Sequence, residues 1–150
     1  MPKQGTYAGP NSGTNDWDNA TYWGGALPGS GTAVTISEAG TYTVQILASD
    51  PAYTIGSLTM NDPTATLLLA GSLTSNGNTQ ISNGAVDVAG GAFSVDGRLL
   101  LSNTGQVTVT SGSLHVSNDI TLSNSSALTV SGGTFSQTGD VSVQNAATLK

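Results

Sequence analysis

Three consecutive blocks decide the fold: GAVDVAGGAFSVDGRLLLSNT (84–104), GQVTVTSGSLHVSNDITLSNS (105–125) and SALTVSGGTFSQTGDVSVQNA (126–146). Written under one another they align without a gap. Val86, Val107 and Leu128 share a column that Leu149 continues. Val88, Val109 and Val130 form a second, and Phe93, Leu114 and Phe135 a third. Leu99, Ile120 and Val141 make a fourth, and Leu101, Leu122 and Val143 a fifth. One period shared by five columns marks a repeat architecture. Within each block the apolar residues come in pairs one residue apart, the alternation of a strand with one buried face. Each block therefore holds three short strands. An antiparallel meander would not bring three strand types back in the same order at a constant interval. The expected fold is all-β: a parallel β-helix, or β-solenoid, of about 21 residues per coil. Right-handedness is expected from the usual rule for parallel crossovers.

The turns repeat with the strands. Gly71, Gly91, Gly112 and Gly133 occupy one corner, and Gly77, Gly97, Asn118 and Gly139 another. These residue types tolerate left-handed backbone, which a sharp corner requires. Asn83, Asn103, Asn124 and Asn145 occupy the third corner. They suit the turn, and their amides, stacked one strand spacing apart, are expected to bond as a ladder.

Extended backwards, the register gives a slightly shorter coil from Leu67, Leu69, Leu73 and Ile81. Before it, Val34, Ile36, Tyr42, Val44, Leu58 and Met60 give a first coil. That coil carries an insertion over roughly Leu47 to Gly56, with Asp50-Pro51 marking a loop. The count is about five coils with a sixth begun, so the solenoid is assigned to residues 34–150. Residues 1–33 do not follow the repeat and read as an irregular N-terminal cap. Trp17, Tyr22 and Trp23 lie there. Buried, these rings would close the first coil; exposed, they would stack on sugar rings as a glycan site. At the other end Leu149 opens a new inward column and Lys150 follows it. An unpaired strand edge accepts another strand. Two partners are expected for this edge: the continuation of a longer solenoid, or a second molecule associating end to end into a fibre.

Of the 150 residues, 37% are hydrophobic and only 8% charged, so Gly, Ser, Thr and Asn must carry the surface. Net charge is −6 with three Lys and Arg in all. That excludes the basic footprint nucleic acid needs. Leu67 to Ala70 is the longest apolar run, far short of a membrane helix, so no membrane insertion is expected. Without cysteine there are neither disulfides nor thiolate metal sites. Met1-Pro2-Lys3-Gln4 has no apolar signal core.

Catalysis finds little to work with. Glycosidases need paired carboxylates at defined separations. Asp119 and Asp140 stand one period apart, in a column with Asn78 and Arg98. The plain reading is a solvated corner with a weak Arg98–Asp119 ion pair. The sharper one is a calcium ion bridging the two carboxylates, because stacked like charges repel. An unchanged melting temperature with and without a chelator would dismiss the ion. His115 lies between inward Leu114 and Val116, so it points outward, with no histidine or cysteine companion. No catalytic or cofactor-binding residue is assigned, and no enzyme activity is expected.

Trp17-Asp-Asn-Ala-Thr-Tyr-Trp23, Gly25-Ala-Leu-Pro28 and Val34-Thr-Ile36 together resemble the opening of large bacterial β-strand-repeat surface proteins. So do Gly40-Thr-Tyr-Thr-Val44, Ile55-Gly-Ser-Leu58 and Leu69-Ala-Gly-Ser-Leu73. This group includes autotransporter-like and haemagglutinin-like exported proteins. The resemblance implies secretion, a pectate-lyase-like β-helix, and roles in adhesion, biofilm or cell-surface display. The expected function is a non-catalytic, extracellular structural or adhesive solenoid. The alternative is a carbohydrate-binding or carbohydrate-active β-helix of the tailspike or lyase kind.

Overall fold

The computed structural model describes residues 3–150, which wind into a β-solenoid of about six coils with a further one begun. Its strands line three faces, and every pairing between coils is parallel. The first face stacks β1 (Lys3–Thr6), β3 (Thr32–Ile36) and the opening parts of β6 (Ser57–Leu69) and β8 (Thr79–Val95). Above them come β9 (Leu99–Leu101), β11 (Ile120–Leu122) and β14 (Val141–Val143). The second face stacks β2 (Ser12–Asp16), β4 (Thr41–Ile46) and later parts of β6 and β8. It continues with the opening of β10 (Gln106–Val116), β12 (Ala127–Val130) and β15 (Thr148–Leu149). The third face stacks β5 (Tyr53–Ile55), β7 (Leu73–Ser75), the ends of β8 and β10, and β13 (Thr134–Gln137).

The columns found in the sequence are neighbours in space. Val86 pairs with Val107, Val107 with Leu128, and Leu128 with Leu149. Alternate residues point inward, and Val86, Val107 and Leu128 are fully buried. Each such side chain stabilises by roughly 1.5–3 kcal/mol relative to exposure. The benefit accrues coil by coil, through contacts between neighbours along the axis.

The corners follow the expected chemistry in part: in the Gly71 column only Gly112 and Gly133 take left-handed backbone, and Gly77, Gly97, Asn118 and Gly139 do not. Asn103, Asn124 and Asn145 have φ of 49°, 61° and 60°, the left-handed region. Their amides form the ladder: Asn124 Nδ2 donates to Asn103 Oδ1 at 3.1 Å, and Asn145 Nδ2 to Asn124 Oδ1 at 3.4 Å. Asn83 Nδ2 extends it down to Asn61 Oδ1 at 2.8 Å. Between Asn83 and Asn103 the Thr104 hydroxyl steps in, donating to Asn83 Oδ1 at 2.9 Å. At the glycine corner, backbone lies on backbone. A Cβ on Gly112 would enter the carbonyl oxygen of Gly91, and one on Gly133 that of Gly112.

Three features differ from the sequence reading. Within residues 1–33, assigned to an irregular cap, the solenoid is already under way: β1 pairs with β3 and β2 with β4. This adds a coil to the count of about five. Met1 and Pro2 of that segment lie outside the described residues. The repeat was invisible because Gly5, Gly13 and Asn15 stand opposite Val34, Tyr42 and Val44. On the third side a 3-10 turn, Ala20–Trp23, takes the place of a strand. Second, the presumed insertion from Leu47 to Gly56 contains β5, which pairs with β7. Only the bend before it is extra. Third, the coil between Leu67 and Ile81 is completed by polar residues, because Ser75 and Thr79 fill inward positions and are fully buried.

Thr79 stands between Leu58 and Leu99, and its hydroxyl finds no hydrogen-bond partner in the protein. Valine has nearly the same shape without the stranded hydroxyl. Thr79→Val is therefore expected to stabilise the protein by about 1–2 kcal/mol. A urea titration that shows no gain would mean the hydroxyl is satisfied.

Candidate functional site

The aromatic residues singled out in the sequence meet at the N-terminal coil. Trp17 follows β2, and its backbone N–H donates to Gln45 O at 2.8 Å, continuing the β2–β4 ladder and turning the indole inward. Asn19 caps the 3-10 turn by accepting from Thr21 N at 3.1 Å. That turn delivers Trp23 beneath Trp17. Their ring centroids are 4.5 Å apart, and Trp23 Nε1 donates to Trp17 O at 2.8 Å. Tyr7 stacks on Tyr42 at 5.2 Å and meets Trp23 edge-on at 5.5 Å. Its hydroxyl donates to Pro10 O, as does Asn15 Nδ2, both at 3.0 Å. Trp17 is fully buried and Trp23 is 6% exposed. Tyr22 is half-buried at the edge of the cluster, 6.0 Å from Tyr7. The two indoles are packing surface and present no face on which a sugar could stack.

Burial makes this cluster sensitive to alkali. Desolvation, reinforced by nearby Asp62 and Glu38, pushes the Tyr42 phenol up to about 12. Desolvation also raises Tyr7, with added repulsion from the Tyr42 and Tyr22 oxygens. Both groups hold their protons more tightly folded than unfolded. Their contribution is complete below the ordinary phenol value near 10 and is lost as pH rises through it towards 12. Stability is expected to stay level up to about pH 9.5 and to fall steeply above 10. Tyr42→Phe should move the fall to higher pH. An unfolding-midpoint series that stays flat to pH 11 would contradict this.

The acidic corner is assembled as the column arithmetic implied. Asn78 Oδ1 accepts from Arg98 N at 2.9 Å, and Asp119 Oδ1 accepts from Asp140 N at 3.1 Å. Each side chain thus caps the backbone one coil above. Asp119 Oδ2 lies 3.6 Å from Arg98 Nε, with the side chains 44% and 62% exposed. Such an exposed pair is worth at most about 1 kcal/mol. Calcium takes six to eight oxygens. Asp119 is already engaged through both oxygens, and among the described residues no three His, Asp or Glu side chains converge.

One arrangement escaped the sequence reading. His115 Nδ1 lies 2.8 Å from Ser136 Oγ, and His115 Nε2 lies 3.2 Å from Ser117 Oγ. The signal was present, since His115 and Ser136 are paired residues of adjacent coils. A serine beside an imidazole is the first half of a nucleophile–base pair. Here the second ring nitrogen meets Ser117, not a carboxylate, so no charge supports an imidazolium. The group also stands on an exposed strand face, with His115 and Ser136 both open to water.

Two concavities mark the surface. An open groove of about 410 Å³ runs along the glycine corner, lined by Ala48, Asp50, Ala70, Gly71, Gly91 and Gly112. A hollow of about 380 Å³ on the second face is lined by Thr14, Thr41, Thr43, Thr64 and Thr66. Neither gathers an aromatic platform or paired charges. At the last strands, Leu149 is 42% exposed and Lys150 is open to solvent. No family model, no curated protein and no solved structure matches the chain.

Proposed function

We propose that the chain is a non-catalytic structural and adhesive rod, a β-solenoid module of a bacterial surface or secreted protein working outside the cell. The observation that carries this reading is the outward surface. On the third face Thr54, Thr74, Ser94, His115 and Ser136 stand in one column across five coils. On the second face Thr14, Thr43 and Thr66 do the same. An outward array made mostly of hydroxyls at strand spacing suits many weak, simultaneous contacts with an extended surface, where multivalency supplies the strength. The resemblance of the Trp17–Leu73 segment to exported bacterial repeat proteins supports the same reading. Burial of both indoles removes the aromatic ground for the carbohydrate-active alternative, whose other ground is the Asp119–Asp140 corner.

Beads coated with the chain should adhere to polysaccharide-coated and bare surfaces in proportion to coating density. Replacing Thr54, Thr74 and Ser94 together by alanine should abolish retention while leaving the fold intact, since these side chains point outward. Beads that never attach, or a soluble polysaccharide that is depolymerised by the chain, would overturn the proposal.

A further inference from the structure

An asparagine followed by a glycine is prone to close on itself, because glycine sets no side chain in the way of its own backbone nitrogen. The chain holds two such pairs, Asn76-Gly77 and Asn83-Gly84. The fold treats them differently. Asn83 lies within β8 and is held at both ends of its amide. Its Nδ2 donates to Asn61 Oδ1 at 2.8 Å, and its Oδ1 accepts from Thr104 Oγ1 at 2.9 Å. Gly84 is enclosed too: a Cβ there would meet the carbonyl oxygens of Asp62 and Ala65. Asn76 stands exposed at the corner between β7 and β8. Its Nδ2 donates to Ser30 O at 3.1 Å, and that is its side chain's one bond to the described residues. The Gly77 N–H donates to no backbone acceptor among them.

We infer that Asn76-Gly77 is a self-modification site. Gly77 N gives up its proton to solvent and attacks Asn76 Cγ. A C–N bond forms and closes a five-membered imide. The Cγ–Nδ2 bond breaks, and Nδ2 leaves as ammonia. Water then opens the ring at one of its two carbonyls. One opening gives aspartate. The other gives isoaspartate, in which the main chain runs through the side-chain carbons. The sum is asparagine and water converted to an acid and ammonia, with no oxidant, reductant or cofactor.

The product sits badly where the asparagine sat well. It adds one negative charge to the net −6. Ser30 O loses its donor and faces a carboxylate instead. Ser75 pairs with Val95, so Asp96 occupies the same position one coil above residue 76. Two carboxylates then stand about one strand spacing apart, ~4.8 Å, and repel. Isoaspartate also lengthens the main chain by a methylene at a corner where the Gly97 backbone lies directly on that of Gly77. The site is a timer that loosens the rod between β7 and β8. It stands apart from the adhesive reading: adhesion could fail with the modification intact, and the reverse.

The full 150-residue chain, kept in warm, mildly alkaline buffer, should gain one mass unit and release one ammonia per molecule. Peptide mapping with electron-transfer fragmentation should place aspartate and isoaspartate at residue 76. Asn83 should lag by about tenfold or more, because its two hydrogen bonds must open first. In concentrated urea the two pairs should react at similar rates. Asn76→Gln should keep the fold and suppress the early ammonia, since its longer side chain would have to close a six-membered ring. A chain whose mass never changes, an Asn83 that keeps pace with Asn76 in the folded protein, a difference between them that persists in urea, or early ammonia from Asn76→Gln would each overturn the inference.

Discussion

Gly112→Ala is expected to destabilise the protein by about 4 kcal/mol, among the largest effects a single methyl group can have. Two penalties coincide. Gly112 has φ of +83°, where an alanine carries strain of about 1–3 kcal/mol. Its Cβ would also enter the Gly91 carbonyl oxygen, and overpacking of this kind costs about 1–3 kcal/mol. The obstacle is backbone, so no rotamer change relieves it. Two further variants separate the causes. Gly13 has φ of +70° with open space around its Cβ position, so Gly13→Ala carries the strain alone. Gly91 has no positive φ but would collide with the Gly71 carbonyl oxygen, so Gly91→Ala carries the collision alone. Urea midpoints should place Gly112→Ala well below both. If Gly112→Ala and Gly13→Ala unfold together, the close stacking of corners contributes nothing.

Trp17→Ala is expected to cost about 3–5 kcal/mol, the range for emptying a buried indole. Trp17 is fully buried between Trp23 and Tyr53, with ring centroids 4.5 and 6.0 Å away. Its loss also removes the surface on which the 3-10 turn rests. In a solenoid the damage should stay local, because each coil is held by its neighbours. Amide hydrogen exchange should quicken through β1 to β5, while β8 and β10 keep their protection. The fluorescence of Trp23 should shift to the red as water reaches it. Uniform loss of protection along the rod would show one cooperative unit and defeat the nearest-neighbour account.

What could be read from the sequence was whatever the repeat wrote in apolar letters. The five columns from Val86 onward, the asparagine ladder and the Arg98–Asp119–Asp140 stack all stand where spacing put them. The N-terminal coil was illegible because glycine and asparagine hold its inward positions and aromatic rings fill the space behind. β5 was missed because three residues after Asp50-Pro51 carry too little pattern to register as a strand. Ser75 and Thr79 were missed because a buried hydroxyl looks like a surface one in sequence. The His115–Ser136 contact was legible in principle, since both share the outward column of the third face. Column arithmetic applied to polar residues would have found it.

The in-register stacking of whole blocks has a consequence for how such a gene can change. Val86, Val107 and Leu128 are interchangeable storeys, and so are the Asn103 and Asn124 corners. Excising residues 105–125 would seat Leu128 directly on Val86 and Val141 on Leu99, keeping these apolar columns in register. Recombination between misaligned copies of the coding sequence would therefore lengthen or shorten the rod one whole storey at a time. Insertions of other sizes would keep the inward columns only where the extra residues fall at a corner, as in the bend before β5. Length can then drift freely under selection for reach, while the cross-section stays fixed.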